Sequence, residues 1–444
     1  LDAGSQEQLM QMLQELRQAG KLIILAAHNQ RLREVSDRIV EMRDGRIVSE
    51  TAGKASTLPA AASATSNIIP LLAEEESTAG LVDPNATRET QRLFAALWGR
   101  LHDGVLFGHT DANVMGIDAS GKGWFMEEGR CDLHAITGRY PAVYGFDVGH
   151  LHRGWAQSNG HMVPKIREAF SRDGIATVGW HPENPLSGEN FHAGSPVPHL
   201  LPGAAGNRAL CERLDLIADH LGNLRDSDGR SIPIIFRPWH DSNGGRYWWG
   251  DSRCTPDEYI RLYRFTVTYL RDVRRVRNFL YAFSPELGDA FEDGLERYPG
   301  HGYVDVIGLD AYGDLSPGYQ GRLIEHIRQL VLYAEANAKV PALTALGFKQ
   351  SERECGLKHC ASPAWLTEYI LNPIKSDPIA HRVRYLVFWR NEAYNPDTYY
   401  LAHPGSPHED DLIAASADPY VVLGDRLEGL YGRSVEPVAA ETQS

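Results

Sequence analysis

From Asp83 onward the chain alternates between two hydrophobic patterns. Short, β-rich apolar runs are separated by stretches whose apolar residues recur at helical spacing. There are eight such runs: Gly104–Gly108, Pro141–Asp147, Ile175–His181, Ile232–Trp239, Phe279–Ser284, Val304–Asp310, Pro341–Gly347 and Tyr385–Arg390. A helix over Thr87–His102 precedes them. The helical stretches between them include Val163–Arg172, Asn207–Leu224, Pro256–Val273, Gly321–Ala338 and Pro363–Ile374. Alternating β and α units in this number predict an α/β fold, the (β/α)8 TIM barrel, because a doubly wound sheet usually has fewer strands.

The first fifty residues follow another pattern. Gln6–Gln18 places Leu9, Met10, Leu13 and Leu16 at helical spacing. Lys21–Ala27 reads as one buried strand, and Val35–Glu41 with the Asp44-Gly45 turn reads as a helix end and a hairpin. Residues 51–82 are rich in Ala, Ser, Thr and Glu without a period, as in a linker. The expected organisation is a short α/β fragment over 1–50, a linker over 51–82, the barrel over 83–433 and a flexible tail over 434–444.

Length fits this division: 444 residues suffice for one barrel plus an extra segment, and a 43% hydrophobic fraction supplies a core. The net charge of −14 argues against nucleic acid or an anionic membrane surface as partner and is compatible with a neutral polymer. No apolar run approaches the roughly 20 residues of a membrane span. The five cysteines show no metal-type spacing. Cys355 and Cys360 are spaced to close a small loop, and free thiols are the alternative. The chain begins at Leu1 without Met or signal peptide, which predicts a processed or partial product and leaves the compartment unread.

In such barrels the working groups sit at the C-terminal ends of the strands. Here those ends carry His109, Asp147 with His150, His181, His240 with Asp241, Glu286, Asp310 with Tyr312, Ala345, and Trp389 with Arg390. Trp180, Trp239, Tyr247, Trp248 and Trp249 lie nearby. Indole faces stack on the apolar faces of sugar rings, and polar groups satisfy their hydroxyl rims; Trp239, pointing opposite to His240, reads equally well as core. Glycosidases place two carboxylates across the scissile bond, about 5–5.5 Å apart when configuration is retained. The run Arg237-Pro-Trp-His-Asp-Ser-Asn-Gly244 offers Asp241 as proton donor. The facing run Pro341-Ala-Leu-Thr-Ala-Leu-Gly347 offers Ala345 where a partner carboxylate is expected.

Two resemblances follow. Ile23-Ile-Leu-Ala-Ala-His28, Ser36-Asp-Arg-Ile-Val40 and Arg43-Asp-Gly-Arg-Ile47 resemble the C-terminal end of an ABC-transporter ATPase domain, where the His would sense a γ-phosphate. The phosphate-cradling Gly-x-x-x-x-Gly-Lys-Ser/Thr loop is missing, so 1–50 is expected to be a non-functional fragment rather than a docking element for a transporter partner. Residues 83–432 resemble glycoside hydrolase family 26, whose best-known members are endo-β-1,4-mannanases. The matching motifs are Gly104-Val-Leu-Phe-Gly-His109, Tyr140-Pro-Ala-Val-Tyr-Gly-Phe-Asp147, Trp180-His181, Phe236-Arg-Pro-Trp-His240, Trp248-Trp-Gly250, Tyr281-Ala-Phe-Ser-Pro285, Val304-Asp-Val-Ile-Gly-Leu-Asp310 and Phe388-Trp-Arg-Asn391.

This resemblance implies a retaining glycosidase with no cofactor or metal, acting on β-1,4-mannan or a related neutral β-glycan. Asp241 aligns with the acid/base and Ala345 with the nucleophile, both Glu in the family, and Tyr312 would hydrogen-bond the nucleophile. His181, His240, Trp389 and Arg390 would line the sugar subsite at the cleavage point and Trp248 a neighbouring one; Asn243 and His109 complete the expected substrate-binding set. Asp is one methylene shorter than Glu, and a misplacement of about 1 Å can cost about 10²-fold. Ala cannot attack carbon, a loss of order 10⁴-fold or more. Glu286, Asp310, Glu352 and Glu354 are the remaining carboxylates to consider as replacements, none at the strand-7 position. Hydrolysis is therefore expected to be crippled, with glycan binding by a pseudoenzyme, or a β-1,3-1,4-glucanase-like or β-1,3-xylanase-like specificity, as alternatives. The resemblance also implies a secreted or cell-surface protein.

Overall fold

The computed structural model describes residues 38–43, 46–52, 80–99, 103–149, 162–351 and 353–431. The chain divides into two compact units, Leu1–Glu74 and Glu75–Ser444. In the first, β1 (Arg38–Arg43) and β2 (Arg46–Ala52) pair antiparallel across the Asp44-Gly45 position. The expected hairpin is present there, but a strand occupies most of Val35–Glu41 in place of a helix end, and β2 runs two residues into the expected linker. The predicted helix Gln6–Gln18, strand Lys21–Ala27, His28 and the tail over 434–444 lie outside the described residues.

The described part of the second unit opens at Gly80. The carbonyl of Gly80 accepts from Lys339 Nζ at 2.6 Å, and the Val82 amide donates to Asp305 at 2.7 Å. Eight parallel strands then close a barrel: β3 (Val105–Thr110), β6 (Val143–Asp147), β7 (Ile175–Trp180), β8 (Ile234–Pro238), β9 (Phe279–Phe283), β10 (Val306–Gly313), β11 (Val340–Phe348) and β12 (Tyr385–Phe388), with β12 returning to β3. The predicted strands are all present, displaced by a few residues at their ends. Their near-continuous apolar composition has a simple cause: each strand is buried on both faces, by the barrel interior and by the helices outside. Two features gave no strand signal. A short hairpin, β4 (Met115–Ile117) with β5 (Gly123–Phe125), follows β3, and β13 (Val421–Val422) joins the start of β3.

Sequence signals explain the helix starts. Before the helix Pro256–Thr268, Thr255 and Glu258 form a reciprocal capping box, and Pro256 fills the first turn, where its missing N–H costs nothing. Ser316 caps the helix Pro317–Ala336, accepting from the Tyr319 amide at 3.2 Å. The predicted helix to Val273 instead widens after Thr268 into a π turn over Tyr269–Val273.

Inside the barrel, Arg237 of β8 meets Asp310 of β10 at 2.7 Å. Ser284 lies 3.1 Å and Thr344 2.6 Å from the same carboxylate. This polar layer sits just below the mouth, where the functional loops begin.

Candidate active site

The mouth of the barrel holds a cavity of about 210 Å³. It is lined by His181, His240, Asp241, Tyr312, Ala345 and Trp389 among the expected residues. Arg237, Arg246, Tyr247, Asp310, Lys349, Cys355 and Tyr400 complete it. Arg246, Lys349, Cys355 and Tyr400 escape a reading of the sequence: Lys349 directly follows β11, the other three stand on loops, and no periodicity marks any of them.

The loop after β8 is locked into an unusual shape. Trp239 and Asp241 have φ of +54° and +53°, the left-handed region that non-glycine residues seldom enter. Neighbours over-determine that shape. Tyr259 donates to the Trp239 carbonyl at 2.7 Å, Trp249 Nε1 to the His240 carbonyl at 2.7 Å, and the Asp241 amide to the Ser284 carbonyl at 2.9 Å. Around them stand Trp180, Trp239, Trp248 and Trp249, each no more than 1% exposed, with Trp180–Trp239 centroids 4.8 Å apart and Trp239–Trp248 5.1 Å. These rings shape the site from beneath.

That burial corrects the expectation for Trp248. Its indole donates to the Pro182 carbonyl at 2.9 Å and presents no face to the cavity, so it is core rather than a stacking surface. Three further expected contacts are also placed elsewhere. His109 is fully buried against the Trp389 backbone and the Asn391 side chain, and burial pushes its pKa down to about 4. The Asn243 amide spends both ends on Glu286, donating to its carbonyl at 2.9 Å and accepting from its N–H at 2.7 Å, which ties the β8 loop to the β9 loop. Arg390 does not line the cavity; its guanidinium bonds Glu392 at 2.8 Å and Asp111 at 3.3 Å, and lies 5.1 Å from the Trp389 ring.

A chain of imidazoles crosses one wall. Asp147 meets His181 Nδ1 at 3.1 Å; His181 Nε2 stands 2.8 Å from His240 Nε2 and 3.2 Å from the Tyr247 hydroxyl. Burial opposes ionisation of Asp147, but His181 and Arg390 outweigh it and hold the carboxylate well below its usual range. Burial, and then the neighbouring charge of Arg237, push the pKa of His240 well below the usual imidazole range. Its Nε2 meets His181 Nε2, so one of these two nitrogens donates and the other accepts, while its Nδ1 is buried without a partner.

Asp241 behaves oppositely. Burial, then the negative charges of Asp310 and Glu286, raise its pKa well above the carboxylate range. These influences favour the protonated form, and its Oδ1 is buried without a hydrogen-bond partner. Tyr312 is likewise held as a neutral phenol by burial and by Asp241 and Asp310. Opposite, Ala345 is 4% exposed and sits in register with Asp310. Asp241 and Asp310 are the carboxyl groups lining the cavity, and Asp310 is committed to Arg237. Glu354 is exposed and accepts from Ser351, away from the cavity, and Glu352 and His150 lie outside the described residues. Cys355 and Cys360 are free: their thiols donate to the Ser351 and Ser362 carbonyls at 3.3 and 3.5 Å. Among the described residues no cluster of His, Cys, Asp or Glu is arranged to hold a metal, and no helix is long and apolar enough to cross a membrane.

A closed (β/α)8 barrel whose mouth joins a buried carboxyl to histidines and aromatic rings has the layout of the glycoside-hydrolase class. The chain belongs to glycosyl hydrolase family 26, whose model matches residues 82–352. It is 33% identical over 387 residues to a mannan endo-1,4-beta-mannosidase of Bifidobacterium adolescentis, covering 81% of this chain but 36% of that relative, so it spans about a third of the relative's length. A modular endo-beta-1,4-mannanase from Cellulomonas fimi superposes with a TM-score of 0.71 at 33% identity, covering 80% of each chain. A shorter match, 41% identical over 54 residues, joins 12% of this chain to 8% of a macrolide export ATP-binding/permease protein MacB of Hyphomonas neptunium.

Proposed function

We propose that the barrel binds β-1,4-linked mannan at its mouth and that hydrolysis is crippled at two positions. In this reading Asp241 occupies the acid/base position and Ala345 the nucleophile position of a retaining double displacement. His181, His240 and Trp389 line the sugar subsite between them, and Tyr312 is the hydroxyl that would have bonded the nucleophile. Asp241 carries the proton such an acid needs, on a side chain one methylene too short. Ala345 supplies no electron pair, so no covalent sugar can form. The names of the similar mannanases support the choice of β-1,4-mannan.

The carrying observation is the methyl group of Ala345 on the cavity wall, with Asp310, the carboxylate nearest in register, already neutralised by Arg237. The test is reducing-end release from soluble β-mannan. The chain as it stands should release nothing above background. The double variant Asp241→Glu with Ala345→Glu should release sugar at a rate of order 10⁴-fold higher. Release by the unaltered chain would overturn the role of Ala345.

A further inference from the structure

Six large hydrophobic side chains are exposed among the described residues, and the two aromatic ones touch each other. Phe125 is 46% exposed and Tyr394 76%, yet their ring centroids lie 5.5 Å apart. Scattered exposed apolar residues need no explanation, but paired aromatic faces at one spot do. Phe125 ends β5, in the hairpin that follows β3. Tyr394 lies in the loop after β12. Strands β3 and β12 are neighbours in the barrel, so both loops rise from the same side of the mouth.

The two arms are joined beneath by one buried carboxylate. Asp132 accepts from Trp124 Nε1 at 2.7 Å and from the Ile117 amide at 3.0 Å, both in the hairpin. It also accepts from Asn391 Nδ2 at 3.0 Å, in the β12 loop. Gly123 presses so closely on the Ala393 carbonyl that an added Cβ would stand 1.8 Å from it. Neighbouring ring-bearing segments are thus clamped together while the rings themselves are left bare. Tyr394 stands in the same loop as the cavity-lining Trp389, five residues on, so it lies within about 18 Å of chain from it.

We propose that Phe125 and Tyr394 form a stacking platform for a sugar residue of the glycan beyond the cavity, on the β3–β12 side of the mouth. The proposal rests on the glycan-binding reading above. Two adjacent aromatic faces offer apolar surface to a pyranose ring, and a platform outside the cavity is reached only by a chain long enough to leave it. The site therefore adds affinity for long oligosaccharides and none for short ones.

The experiment is calorimetric titration of the whole chain with a series of β-1,4-mannooligosaccharides from mannobiose to mannohexaose. Phe125→Ala and Tyr394→Ala should each weaken mannohexaose about three- to tenfold while leaving the shortest bound member unchanged. Tyr394→Phe should retain the affinity, because it keeps the ring. Both side chains are exposed, and unchanged melting temperatures confirm that the variants are folded. Unchanged mannohexaose affinity in both variants, with Trp389→Ala abolishing binding, overturns the platform alone. An equal loss for every chain length also overturns it, since it would place the rings in the cavity's own effect. Failure of the unaltered chain to bind any member overturns the mannan reading and the platform with it.

Discussion

The ends of β8 and β11 face each other across the cavity, and they hold their functional positions by different means. At the end of β8, Trp239 and Asp241 sit in left-handed backbone conformations, fixed by bonds from Tyr259, Trp249 and Ser284 and by a buried tryptophan cluster. Towards the end of β11 the ladder shifts register on both sides, skipping Thr344 against β10 and changing step between Leu343 and Leu346 against β12, while the hydrogen bonding continues. Ala345 lies within the ladder, Leu346 accepts from the Trp389 amide at 2.8 Å, and Gly347 is pressed against Tyr312 and Tyr400. None of these contacts is made by the methyl group of Ala345. A carboxylate can be absent there without disturbing the barrel, whereas the β8 loop is tied into the core.

The largest expected effect sharpens this contrast in activity. Relative to the double variant that restores both carboxylates, Ala345→Glu alone should remain about 10²-fold slower, because Asp241 still falls short of the leaving oxygen. Equal rates would show that the shorter acid reaches. Next comes stability. Trp248→Ala at the β8 end should cost about 3–5 kcal/mol by urea denaturation, the usual loss for a large buried aromatic. Ala345→Gly at the β11 end should cost far less. Weaker glycan binding in Trp248→Ala without a stability loss would return Trp248 to the sugar-contacting set.

Cys355 gives a smaller, direct readout of occupancy. Its thiol lines the cavity, so mannohexaose should slow its alkylation by iodoacetamide, read by peptide mapping, while Cys211 outside the cavity reacts at an unchanged rate. Equal rates with and without sugar would place the glycan elsewhere. The mildest effect concerns pH. The folded chain holds the Asp241 proton more tightly than the unfolded chain does. The resulting stability is complete below about pH 4, the unfolded carboxyl's range, and is lost as pH rises through the raised folded value. Asp241→Asn cannot ionise, so its melting temperature should fall less than that of the unaltered chain as pH rises. Parallel pH profiles would mean that Asp241 is not the proton held.

The sequence by itself determined the barrel, because strands buried on both faces leave uninterrupted apolar runs and the count of those runs is visible without coordinates. It also determined that position 345 carries no carboxylate, since chemical identity needs no geometry. Only the tertiary structure decided which aromatic rings face the cavity. Trp248 and Trp389 are equally aromatic and both follow barrel strands, but burial depends on what packs against each ring, and Trp248 is enclosed by Trp239, Trp249 and the Pro182 carbonyl. The same holds in part for Arg390, whose guanidinium bonds Glu392 two residues on but also meets Asp111 and Asp147, more than two hundred residues away in the chain. Local pattern records what a residue can do; which partners reach it first is set by contacts between distant segments, and those exist only once the barrel has closed.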